Sequence, residues 1–232
     1  MKLISFCSLK GGAGKTTSLM AICSSLAARG ASIALFEADD NRPLIKWKQN
    51  SFAWETWDDL CEVFVADEMD VLETAYREAV SESYDYGLVD THGGVSELNN
   101  TIIASSDFIV LPCALTALDI DETLATYKYI VELLISEQLE IPSAILRQRV
   151  PVRRLTKAQH AAQDMLQNLP LFTDPMFDRD AFASMKERGM LHKNVERLSE
   201  DAFSRLQLRN FETAMNEANR LSAEILDILR VS

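Results

Sequence analysis

The chain has 232 residues, of which 47% are apolar and 25% charged, and its net charge is −12. A chain of that size can bury a full core without staples, and one domain spanning 1–232 is expected. The composition excludes a disordered or collagen-like protein, and no run approaches the ~20 apolar residues of a membrane-spanning helix. The overall acidity argues against a broad nucleic-acid-binding face, so any polyanion must meet a local patch.

Strand-length apolar runs alternate with helix-length amphipathic segments. Leu3–Ser8 reads as a strand, and a glycine-rich stretch follows it. Lys15–Arg29 reads as a helix closed by Gly30, which suits a left-handed C-cap. The next strands are Ser32–Phe36 and Glu62–Val65. The second lies within a span, Glu55 to Asp85, with eleven acids and one base, Arg77. A helix over Met69–Ser83, a strand over Tyr86–Asp90 and a helix over Glu97–Ser105 come next, then a strand over Phe108–Leu111 that Pro112 ends. A helix over Asp119–Glu137, with Asp119 as its N-cap, leads to a strand over Ser143–Leu146. Beyond Pro151 the chain reads as mostly helix, ending in an amphipathic helix over Asn210–Arg230. Continuous apolar strands interleaved with helices predict an α/β fold: a mostly parallel, twisted sheet with helices on both faces and a helical C-terminal portion.

Cys7, Cys23, Cys61 and Cys113 are too scattered for a disulfide framework or a structural metal, and they read as buried thiols. The start, MKLISFCSLKGG, lacks the basic and apolar regions of a signal peptide, so a cytoplasmic location is expected.

The strongest motif is Lys10-Gly11-Gly12-Ala13-Gly14-Lys15-Thr16-Thr17. It follows a predicted strand and opens a predicted helix, the context of a phosphate loop in a P-loop NTPase. The glycines let the backbone N–H groups converge on a phosphate, and the helix N-terminus adds positive potential. Lys15 is placed for the β- and γ-phosphates of ATP, Thr16 for Mg²⁺, and Thr17 for the α-phosphate. Asp90, closing YGLVD, is a second candidate magnesium residue, acting through a water.

A lysine at the loop's entrance sets this motif apart. The stretch KGGAGKTT resembles the signature of the ParA/MinD-type deviant Walker A ATPases. In that family two nucleotides are sandwiched between subunits, and the first lysine, here Lys10, reaches the partner's ATP. The resemblance implies a homodimer with ATP. It also implies an attacking water positioned by Asp39, in the segment Glu37-Ala38-Asp39-Asp40-Asn41, which departs from the family's DxDPQ at Glu37, Asp40 and Asn41. Thr91-His92-Gly93-Gly94 resembles the second switch, with His92 on the surface. SELNNTIIASS (96–106), LRQRVP (146–151) and RDAFASMKERGMLH (179–192) resemble the VirC branch of agrobacterial T-DNA transfer. That likeness implies plasmid DNA and a relaxase or other transfer proteins as partners, with concentration at the cell pole.

Independently of the resemblance, Arg147, Arg149, Arg153, Arg154 and Lys157 form an acid-free basic cluster and are the candidate contacts to double-stranded DNA. Arg153 to Lys157 are read as the start of a helix, where bases oppose the dipole unless they have another use. A weaker cluster is Lys186, Arg188, His192, Lys193 and Arg197, interrupted by acids. Trp47, Trp54 and Trp57 read as core, with a partner surface as the other reading. The acids on the terminal helix argue against membrane binding, and no stable membrane insertion is expected. Three rival readings remain: a MinD-like ATPase that positions membrane or protein partners without touching DNA, a small-molecule kinase, and an iron–sulfur reductase.

Overall fold

The computed structural model describes residues 1–201 and 203–231. The chain runs β1 (Lys2–Phe6), α1 (Lys15–Ala27), β2 (Ile33–Glu37), α2 (Pro43–Trp54), β3 (Cys61–Val65), α3 (Met69–Ser81), β4 (Tyr86–Asp90) and α4 (Glu97–Ala104). It continues through β5 (Phe108–Ala114), α5 (Ala117–Ser136), β6 (Ser143–Gln148), α6 (Lys157–Leu166), α7 (Asp180–Arg188), α8 (Leu191–Ser199) and α9 (Arg205–Val231). Among the described residues the strands form one six-stranded sheet in the order β3-β2-β4-β1-β5-β6, with every pairing parallel.

The pleat explains how both faces are covered. Side chains alternate along a strand, so each apolar strand feeds two cores. Ile4, Phe6, Ile33, Leu35 and Leu88 point to one face, where α1, α2, α7, α8 and α9 pack on them. Leu3, Ala34, Phe36 and Val89 point to the other, under α3 and α4, while Ile109, Leu111 and Ile145 lie under α5 and α6. The four thiols are buried and unpaired by disulfides, as read from the sequence.

Several boundaries differ from the sequence reading, each for a local reason. α2 is absent from that reading because its polar and aromatic residues break the apolar stripe. The helix is nonetheless started by Pro43 at its first position and by the Glu37 carboxylate, which accepts the N–H groups of Leu44 at 2.6 Å and Ile45 at 3.1 Å. β5 runs through Pro112 to Ala114. Pairing to β1 stops at Val110, so the proline lies where β6 is the only neighbouring strand. Thr116, not Asp119, caps α5, its side chain accepting the Asp119 N–H. α6 begins at Lys157 under a Thr156–Gln159 capping box, so Arg153 and Arg154 lie in the preceding loop. The terminal helix starts earlier than read, at Arg205.

Trp47 is fully buried and meets Trp57 edge to face at 5.2 Å. Trp54 lies at the surface, with the guanidinium groups of Arg188 and Arg197 at 5.5 and 4.9 Å from its ring. No helix among the described residues is long and apolar enough to cross a membrane.

Candidate functional site

The register of the sheet assembles the site. Phe6, Asp90 and Glu37 are level across β1, β4 and β2, so the loops after these strands leave from one edge. β1 lies between β4 and β5, where the strand order reverses, which is where open α/β sheets hold ligands.

The loop from Lys10 to Gly14 turns under left-handed backbone angles at Gly12 (φ 81°) and Gly14 (φ 99°). Gly14 is doubly constrained, because a Cβ there would lie 2.5 Å from the Gln148 side chain. Gln148 is buried and donates from Nε2 to the Gly14 carbonyl at 3.0 Å, fixing the loop to the end of β6. Among the described residues the N–H groups of Gly14, Lys15, Thr16 and Thr17 meet no acceptor, so α1 opens with its first turn free. Those donors face a cavity of about 430 Å³ that Gly11, Lys15, Thr17, Asp39, His92 and Gly93 help line. Lys15 is 6% exposed. A buried ammonium beside free helix-terminal N–H groups is an environment for a polyanion.

A second cavity of about 310 Å³ adjoins the first, sharing Gly12, Gly14, Thr16 and Thr17 with it. Its walls are more apolar, with Met20, Pro43, Met176, Phe177 and Phe182 among them. The Met176–Arg179 segment is tied down from two sides. Its backbone pairs with Arg147 and Val150, and Glu217 of α9 accepts the Phe177 N–H at 3.3 Å and the Arg179 Nε–H at 2.6 Å. Glu217 is 1% exposed, so the terminal helix sets this wall through a buried ion pair. A polar chamber joined to an apolar one matches the two halves of a nucleotide.

Asp90 is fully buried and accepts the Thr16 hydroxyl at 2.7 Å, while its Oδ1 lacks a partner. Burial pushes its carboxyl up to about 6. The orphaned oxygen beside a threonine hydroxyl fits Mg²⁺. Among the described residues no group of three His, Cys, Asp or Glu could hold a metal. An ion here would complete its shell with water and phosphate oxygens, as magnesium does.

Glu37 is 1% exposed, and one of its oxygens, Oε1, has no partner. Burial raises its carboxyl to about 7, and the nearby Asp90 and Asp39 add to the shift. The folded state therefore binds this proton more tightly than the unfolded state. The stability it gives is full below pH ~4.5 and is lost as pH rises through about 7. Glu37→Gln is expected to flatten the fall in stability of nucleotide-free protein between pH 5 and pH 8 by up to about 3 kcal/mol. Urea unfolding at the two pH values checks this, and an unchanged slope would contradict it.

The remaining sequence candidates divide. Asp39 lines the polar cavity, and its Oδ1 accepts the Asn41 backbone and side-chain N–H groups at 2.8 and 2.9 Å. Lys10 is half-buried and forms an ion pair with Asp119 at 2.9 Å within its own chain. His92 is exposed at the cavity rim.

The first basic cluster is not one patch. Arg147 is committed to the carbonyls of Phe172 and Thr173 at 3.0 and 2.8 Å, and Arg149 to the Gly12 carbonyl at 3.1 Å. Arg153, Arg154 and Lys157 are exposed and form no salt bridge among the described residues. The second cluster is also dispersed. His192 is buried against Asp58 at 2.9 Å, Lys193 meets the same carboxylate at 3.3 Å, and Arg188 and Arg197 lie on Trp54. Sequence reasoning misses the contacts of Gln148, Glu217 and Asn99, because a lone amide or acid carries no motif, although Gln148 lies within the LRQRVP segment and Asn99 within SELNNTIIASS.

Residues 1–231 match the family model described as VirC1 protein. The chain belongs to the VirC1 family. It is 57% identical over 222 residues to Protein virC1 of Rhizobium rhizogenes, covering 96% of each chain. Among solved structures it is similar to the MinD cell division protein of Aquifex aeolicus, with 18% identity, 98% of each chain covered and a TM-score of 0.67. It is also similar to the Cyanothece McdA(D38A)-ATP complex, with 16% identity, 94% and 96% of the two chains covered and a TM-score of 0.64. These likenesses agree with the ParA/MinD resemblance of KGGAGKTT and with a P-loop NTPase fold. This chain thus shares its overall fold with the MinD and McdA structures.

Proposed function

We propose that this chain is a magnesium-dependent ATPase that acts as a slow switch: it dimerises with ATP, binds DNA, recruits DNA-transfer or plasmid-partition machinery, and lets go on hydrolysis. The observation that carries this reading is the two-chambered cavity, with Lys15 in its polar half and a second lysine, Lys10, at the start of the glycine-rich loop that lines it. The ATP in the McdA complex supports a nucleotide as the occupant.

In this reading Gly11, Gly12, Ala13 and Gly14 wrap the phosphates, Lys15 binds the β- and γ-phosphates, Thr16 meets the metal and Thr17 the α-phosphate. Thr16 and, through a water, Asp90 would hold Mg²⁺, which would neutralise charge on the phosphates. Asp39 orients a water whose oxygen attacks the γ-phosphorus. The bond to the β–γ bridging oxygen breaks, and ADP leaves with that electron pair. Lys10 of each subunit supplies positive charge to the other's phosphates. Its bond to Asp119 is then the resting contact of the monomer.

The VirC1 membership supports T-DNA transfer as the setting, with a relaxase or other transfer proteins as partners and a cytoplasmic location concentrated at the pole. DNA would meet Arg153, Arg154 and Lys157, because Arg147 and Arg149 are already engaged within the protein. Three phosphate contacts per protomer give a salt slope of about −2.7, doubled in a dimer.

Fluorescence anisotropy of a labelled duplex tests this. Binding is expected with Mg-ATP, at least about tenfold weaker binding with Mg-ADP, and loss of binding in Arg153→Glu/Arg154→Glu. No binding in either state by protein that still dimerises would move the output to protein partners or a membrane.

A further inference from the structure

The Thr91–Gly94 loop is held by one side chain outside it. Asn99, in the first turn of α4, is 4% exposed. Its Nδ2 donates to the His92 carbonyl at 3.0 Å and to the Gly94 carbonyl at 2.8 Å. Both acceptors are carbonyls, so the amide orientation is unambiguous. The backbone that carries this side chain is anchored as well, because the Asn99 backbone N–H donates to the Ser96 hydroxyl that caps α4, at 3.0 Å. Its Oδ1 is buried without a partner, a cost that a merely space-filling residue would avoid.

The consequence is directional. In a trans peptide the N–H points opposite the C=O. Turning the His92 carbonyl toward Asn99 therefore turns the Gly93 N–H away from it. Gly93 lines the polar cavity together with Lys15 and Asp39. It also lies along the phosphate loop, where a Cβ on it would be 3.4 Å from the Gly11 nitrogen. Among the described residues the Gly93 N–H has no acceptor.

We propose that Asn99 is a positioning residue that aims the Gly93 N–H at the terminal phosphate, so that the loop distinguishes ATP from ADP. This rests on the nucleotide reading above and names the group in α4 that sets the discrimination. Loop and helix are then linked by one amide: a phosphate that draws Gly93 in pulls on Asn99 and the first turn of α4.

The test measures the affinities of ATPγS and ADP, each with excess Mg²⁺, for wild type, Asn99→Asp and Asn99→Ala. Asn99→Asp keeps the shape and sets an oxygen against two carbonyls. Asn99→Ala removes the donor without burying a charge, and it serves if the aspartate variant does not fold. One charge-assisted hydrogen bond is at stake, so each variant should lose about tenfold or more of the wild-type preference for ATPγS. ADP affinity should stay within about twofold, which a general loosening of the site would not allow. Equal weakening toward both nucleotides, or an unchanged preference, would overturn the role of Asn99. Absence of any preference in the wild type would instead remove the switch reading on which it rests.

Discussion

Lys15→Ala is expected to abolish nucleotide binding while leaving the fold intact. Lys15 is 6% exposed and lies in the polar chamber beside the free N–H groups that open α1. Each hydrogen bond from its ammonium to a phosphate contributes about 1.5–3 kcal/mol, and two such bonds imply a loss of at least about 100-fold in affinity for both ATP and ADP. The loss should also reach the metal site. Lys15 holds the Asp90 carboxyl down against the burial that raises it, so without Lys15 this acid is harder to ionise near neutral pH. Calorimetric titration with Mg-ATP and Mg-ADP, beside a thermal unfolding curve, checks both parts. Affinity within a few-fold of wild type would remove Lys15 from the site.

Lys10→Ala is expected to behave differently. Lys10 is bonded to Asp119 rather than directed into its own chamber, so nucleotide affinity should change by no more than about threefold. ATP-dependent dimerisation should be lost, because the charge offered to the partner's phosphates is gone. The ion pair makes a companion prediction. A half-exposed pair contributes about 0.5–1 kcal/mol, and two of them must open in each dimer. Asp119→Asn should therefore strengthen the ATP dimer by roughly five- to thirtyfold. Sedimentation velocity over a concentration series reads both variants. A Lys10→Ala protein that dimerises normally with ATP would contradict the assignment across the interface.

Much of this was legible in the sequence because it depends on local pattern. β4 is seen where the apolar run and its closing acid place it, and the strand–glycine–helix succession put Lys15, Thr16 and Asp90 in one neighbourhood. What escaped depends on contacts of one element with another. α2 has no clean stripe and is started by Glu37, a strand residue that reads from sequence as a degenerate switch acid. Asn99 and Glu217 each act through two hydrogen bonds to another segment and have no periodicity to announce them. The basic run illustrates the opposite failure. Five bases within the eleven residues from Arg147 to Lys157 read as one patch, yet β6 turns Arg147 onto backbone carbonyls, while the left-handed turn at Arg149 accompanies its contact with the phosphate loop. Charge counted along a chain does not say which side chains the fold has already engaged.

In the proposed switch ATP, and not ADP, joins two copies of this chain. The most direct test is the molecular mass in solution with Mg-ATPγS and with Mg-ADP at the same protein concentration. About twice the chain mass of 26.0 kDa is expected in the first and 26.0 kDa in the second. The same mass in both, with nucleotide bound in each, would contradict it.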